Sequence, residues 1–76
     1  VLDLIQVGVK VRNLRKRAKM TQQQLATEVG VDDTMINKIE RGVSCGSMNT
    51  LTKIAAVFGV SLAELVKDED PPNPAA

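Results

Sequence analysis

Six polar side chains on two short segments carry the chemistry needed to bond base edges or phosphate oxygens. They are Gln22, Gln23 and Gln24 in the first segment and Thr34, Asn37 and Lys38 in the second. An amide offers donor and acceptor together, a threonine offers a hydroxyl and a methyl, and an ammonium donates to acceptors such as guanine O6 and N7. The groups that catalysis needs are scarce. The chain has no histidine, so the usual proton shuttle and commonest metal ligand is missing. Cys45 is the only cysteine, whereas a zinc site needs several thiolates or imidazoles. No nucleophile stands with a general base, and 76 residues leave little room for an enclosed pocket. We expect no enzymatic activity, no metal and no cofactor. With no partner cysteine and no marked basic neighbour, Cys45 reads as a loop thiol rather than a redox switch.

The net charge of +1 conceals a lopsided distribution. Residues 1–20 hold Lys10, Arg12, Arg15, Lys16, Arg17 and Lys19 against Asp3, a net +5. Residues 21–47 hold Lys38 and Arg41 against Glu28, Asp32, Asp33 and Glu40, a net −2, and the remainder is also −2. A basic end with an acidic tail suits a protein that turns one side to a polyanion. A solvated basic helix with no such partner explains the charge equally well.

These groups need rigid elements to hold them. The apolar content is 43% and Phe58 is the only aromatic residue, so a core of Leu, Ile, Val, Met and Ala in short helices is expected. Val7, Val11, Leu14 and Ala18 recur at helical spacing and predict an amphipathic first helix ending near Ala18 to Met20. Thr21 and Gln24 form a capping box for a second helix of roughly two turns, with Leu25, Ala26 and Val29 inward and Gly30 as its left-handed terminator. Asp32 caps a third helix running to about Arg41, with Ile36 and Ile39 inward, Met35 partly exposed at the joint and Gly42 at the end. Ser47 caps a fourth helix carrying Leu51, Ile54, Ala55 and Phe58, closed by Gly59. Ser61 and Glu64 form a second capping box for a short fifth helix with Leu62 and Leu65 inward. The segment 1–7 is too apolar for a free arm, so it extends the first helix, packs back on the fourth and fifth, or makes a subunit contact. Residues 1–67 form one all-α domain of five helices, and 68–76 form an acidic, proline-containing tail expected to be disordered. The longest apolar runs are only a few residues, so no membrane span is expected. The lone cysteine and the lack of a leader segment suggest a cytoplasmic setting.

Two short helices joined through Gly30-Val31-Asp32 are a common arrangement and a weak signal alone. The run from Val7 to Gly42 adds Leu14-Arg15, MTQQQLA (20–26), Gly30-Val31 and INKIERG (36–42), and LTKIAAVFGVSLAEL (51–65) follows. Together these motifs resemble the lambda-repressor and Cro-like (XRE-type) helix-turn-helix family, in order and at its spacing. The resemblance implies a compact five-helix lambda-repressor-like DNA-binding domain with the helix-turn-helix formed by helices 2 and 3.

It also implies residue roles. The segment 32–41 corresponds to the recognition helix in the major groove. The base-reading positions match Asp33, Thr34 and Lys38, with Asn37 near the backbone or a neighbouring base, and Gln22, which typically touches a phosphate and sometimes the first base. Phosphate contacts fall near Arg12, Lys16, Gln23, Arg41, Ser44, Ser47 and Asn49. Arg15 and Glu40 match an ion pair between the first and third helices and are assigned to the scaffold. Asp33 departs from the basic, amide or small polar residue common there. It either accepts from a cytosine amino group or only strengthens the helix start through the dipole.

The expected partner is double-stranded DNA, bound by a homodimer on a palindromic operator with half-sites about one helical turn apart. The family often dimerises through the last helix, which points to Val60, Leu62, Ala63 and Val66. The size is similar to stand-alone phage repressors and restriction–modification controller proteins, with no small-molecule effector evident. Alternatives are the antitoxin of a toxin–antitoxin pair, the DNA-binding part of a longer chain, or a helical protein-binding module without DNA affinity. The Asp32-Asp33 pair favours the last slightly; the basic first helix, Lys38 and Arg41 count against it.

Overall fold

Helix boundaries fall where the sequence supplies caps. The computed structural model describes residues 3–44 and 46–66, which form α1 (Leu4–Arg17), α2 (Gln22–Val29), α3 (Asp33–Glu40), α4 (Met48–Phe58) and α5 (Leu62–Val66). The expectations for Cys45 and for the tail 68–76 lie outside the described residues. Asp3 Oδ1 accepts from the N–H groups of Ile5 and Gln6 at 3.0 and 3.4 Å. Residues 4–7 of the apolar N-terminal stretch thus belong to the first helix. At α2 the capping box closes both ways: Gln24 N–H donates to Thr21 Oγ1 at 3.0 Å, and Thr21 N–H donates to Gln24 Oε1 at 2.8 Å. Ser47 Oγ accepts from Thr50 N–H at 3.1 Å to start α4, and Ser61 Oγ accepts from Glu64 N–H at 3.0 Å to start α5.

Two ends differ from expectation. Asp32 stands at the N-cap of α3 in extended conformation, but its side chain makes no capping bond. Its backbone carbonyl instead takes the N–H groups of Met35 and Ile36 at 3.0 and 3.3 Å. The end of α1 has no glycine. Lys19 adopts φ 58°, while Met20 N–H donates to the Arg15 carbonyl at 3.1 Å and Lys19 N–H to the Lys16 carbonyl at 3.0 Å. This bond pair is the Schellman arrangement that usually places glycine at the left-handed position.

Helix α3 packs against α1 and α2, α4 lies against α2, and α5 joins α1 to α4. The core is aliphatic: Val7, Val11, Leu25, Ala26, Val29, Ile36, Ile39, Leu51, Ile54, Ala55 and Leu65 are buried. Leu14, Leu62 and Phe58 pack against its edge and are half-buried, and Ala18 is exposed. Phe58 is the last residue of α4 and Ala18 caps α1, so each has chain on fewer sides than a mid-helix residue.

Helices α1 and α3 approach closely at a residue with no side chain. Gly8 of α1 is buried, and a Cβ placed there would lie 2.7 Å from the Glu40 carbonyl oxygen and also against that of Ile39. The α1 backbone therefore rests directly on the last turn of α3.

Candidate nucleic-acid interface

Ile36 and Ile39 are fully buried and fix one side of α3 in the core. Rotation by helical spacing leaves Asp33, Thr34, Lys38 and the capping residue Arg41 exposed, with Asn37 half-buried. Thr34 and Lys38 are i, i+4 neighbours, as are Asp33 and Asn37, and Asn37 and Arg41, so these groups form adjoining rows. Asp33 lies in the first turn and Lys38 in the last, the order that complements the helix dipole. All five residues assigned to α3 or its end therefore share one continuous outer surface.

Behind that surface the end of α3 is tied to α1 and α2 by one carboxylate. Arg15 Nε and Nη2 donate to Glu40 Oε2 and Oε1 at 2.6 and 3.0 Å, a two-pronged pair with side-chain exposures of 13% and 4%. Arg15 Nη1 also donates to the Met20 carbonyl at 2.8 Å, which holds the α1–α2 turn. Hydrogen bonding to Glu40 raises the Arg15 pKa above its ordinary value; burial opposes this and the negative charge of Glu40 adds to it. The two residues expected to pair structurally are thus brought together.

Gln22 is drawn into the same network, which sequence spacing did not reveal. It is half-buried, and its Nε2 donates to Glu40 Oε1 at 3.2 Å. The signal was out of reach because Gln22 and Glu40 are 18 positions apart on different helices.

The remaining polar residues vary in freedom. Arg12 and Lys16 are exposed i, i+4 neighbours on α1, and Gln23 and Asn49 are exposed near the starts of α2 and α4. The hydroxyls of Ser44 and Ser47 already work inside the chain. Ser44 Oγ accepts from Gly46 N–H at 3.0 Å; Ser47 Oγ caps α4 and shares a 3.1 Å bond with Thr50 Oγ1. Of the residues named for subunit contact, Ala63 is exposed, while Val60, Leu62 and Val66 are half-buried against the core. Among the described residues, the most exposed large apolar side chains are instead Ile5, Val43, Met48 and Val9.

Among the described residues no cluster of three or more His, Cys, Asp or Glu side chains is arranged to hold a metal ion. No helix among them is long and apolar enough to cross a membrane.

The sequence and the fold are matched in known proteins. A helix-turn-helix family model, HTH_3, matches residues 11–65. The cryptic phage CTXphi transcriptional repressor RstR of Vibrio cholerae is 33% identical over 61 residues, covering 80% of this chain and 55% of that protein. Control protein C.MunI of a Mycoplasma species is 35% identical over 65 residues, covering 84% of this chain and 88% of its own length. The chain therefore spans little more than half of the phage repressor but most of the control protein. Among solved structures, the P22 c2 repressor in complex with a synthetic operator superposes with a TM-score of 0.78 at 27% identity, covering 83% of this chain and 96% of that one.

Proposed function

The chain belongs to the HTH_3 helix-turn-helix family, and from that premise we propose that it is a sequence-specific regulator of transcription that binds double-stranded DNA. The observation that carries this reading is the two-sided character of α3. Ile36 and Ile39 anchor it, while Asp33, Thr34 and Lys38 are presented to solvent together. A helix so held can enter a major groove with its polar row toward the base edges. The solved P22 c2 repressor, similar over most of this chain, is itself bound to an operator.

In this reading Lys38 donates to guanine, Thr34 sets its methyl or hydroxyl against a base, and Asn37 reaches a neighbouring base or the backbone. Asp33 accepts from a cytosine amino group. The Asp33 side chain is exposed in the free chain, which leaves it open for that role. Arg12, Lys16, Gln23 and Arg41 supply phosphate contacts. Ser44, Ser47 and Asn49 contribute through hydroxyl hydrogens, an amide and the free first N–H groups of α4. The protein acts by binding rather than catalysis, in the cytoplasm, as a homodimer on two half-sites. Val60, Leu62, Ala63 and Val66 form the subunit contact. As a proposed domain, residues 1–67 act as one unit and 68–76 as an appended tail.

The experiment is selection of bound sequences from a random duplex pool. Enrichment of a motif with dyad symmetry and half-sites about 10 base pairs apart is the expected result. A pool that emerges unenriched would overturn the DNA reading and leave a protein-binding helical module.

A further inference from the structure

The Arg15–Glu40 pair reaches beyond scaffolding through its third partner. We propose that Glu40 is a positioning residue for DNA recognition, acting by fixing the orientation of the Gln22 amide. This inference rests on the DNA-binding reading above and deepens it.

An ionised carboxylate only accepts hydrogen bonds, whereas an amide has a donating and an accepting end. Glu40 is held in place by two bonds from Arg15, at 2.6 and 3.0 Å, before Gln22 is considered. Facing that oxygen, Gln22 must present Nε2, as it does at 3.2 Å, and the reverse orientation would set its Oε1 against a negative charge. The flip that leaves a surface glutamine indifferent between donor and acceptor is therefore closed to Gln22. One N–H and the carbonyl oxygen remain for a partner. A fixed donor–acceptor pair fits the N7 and N6 edge of adenine, whereas a phosphate satisfies the donor alone.

The neighbouring glutamines provide internal contrast. Gln24 is fixed the opposite way, its Oε1 accepting from Thr21 N–H at 2.8 Å. Gln23 is exposed, and its backbone carbonyl accepts from the Thr27 hydroxyl at 3.0 Å while its side-chain amide has no such tether. The three consecutive amides are donor-anchored, unanchored and acceptor-anchored. Only the first is tied to the end of α3.

Two readouts test the proposal. In the DNA-free chain, the side-chain amide protons of Gln22 should be resolved from those of Gln23 by NMR, with one shifted and slow to exchange. Gln22 protons that match those of Gln23 would overturn the anchoring without reference to DNA. On a DNA site taken from the selected pool, Gln22→Met and Glu40→Gln should each weaken binding about three- to tenfold, the worth of a single hydrogen bond. The loss should be confined to one base position per half-site, and the double variant should be no weaker than the worse single variant. Losses that multiply independently, or that spread over every position, make Glu40 purely structural and overturn the proposal. If Glu40→Gln does not fold by circular dichroism, the amide resonances and the base profile of Gln22→Met decide. The two failures are distinguishable. An unenriched pool with an anchored Gln22 defeats the DNA reading and the positioning role together, and an enriched pool with a free Gln22 defeats the positioning role alone.

Discussion

Gly8 lies so close to Glu40 that a single added carbon would sit 2.7 Å from the Glu40 carbonyl oxygen. The contact is backbone against backbone, with the neighbouring Ile39 carbonyl on the same side. It sets the distance between the basic helix α1 and the exposed row on α3.

Gly8→Ala should therefore destabilise the chain by roughly 1–3 kcal/mol as the helices are forced apart, despite the better helix propensity of alanine. Urea unfolding followed by circular dichroism measures this. An unchanged or higher midpoint would mean that α1 and α3 do not meet at Gly8.

Removing one member of the Arg15–Glu40 pair should cost far more than removing both. Glu40→Ala strands a largely buried guanidinium, a loss of about 3–5 kcal/mol, which leaves a small domain close to unfolding. Arg15→Met combined with Glu40→Leu replaces the pair by apolar bulk and should recover most of that loss, though not the tie to Gln22. Thermal melts of the single and double variants decide it; a double variant as weak as Glu40→Ala would contradict the expectation.

Lys19 bears the only positive φ on a non-glycine residue in the described chain. Lys19→Gly should relieve the left-handed strain and raise stability by about 1 kcal/mol, net of the extra freedom that glycine gives the unfolded chain. A melting temperature that stays level or falls would show that the lysine stem contributes packing of equal worth.

Lys38→Ala should weaken binding to the selected DNA site much more than binding to random duplex, because a base contact is lost while most phosphate contacts remain. Titration of both duplexes at fixed salt gives the comparison. Equal loss on both would remove Lys38 from base reading.

Arg12→Ala and Lys16→Ala should weaken specific and random binding alike. Each should also lower the slope of log affinity against log salt by about one per lost phosphate contact. A slope unmoved by either substitution would take these residues off the phosphate backbone.

Much of the scaffold was legible because its signals are local. The Thr21–Gln24 box, the Ser47 cap and the Gly30 terminator act within four residues, so spacing along the chain suffices to find them. The buried sides of α2 and α3 follow from periodicity in the same way, and with them the outward placement of Asp33, Thr34 and Lys38. Leu14 and Phe58 are only half-buried because periodicity says which side of a helix is apolar, not how far the next helix extends to cover it. Lys19 escaped notice because nothing in its own chemistry marks a left-handed residue; the bonds to Arg15 and Lys16 carbonyls impose it.

By itself the amino-acid order determined the succession of helices, most of their caps and which side of each is polar, since these depend on neighbours three or four residues away. Tertiary structure alone decided that Gly8 carries the approach of α1 to α3 and that Gln22 shares the Glu40 carboxylate with Arg15. Among the described residues it also left Ile5 and Val43, rather than Leu62 and Val66 of α5, as the most exposed large apolar side chains. Those outcomes depend on the separation and rotation of packed helices, which no local repeat specifies.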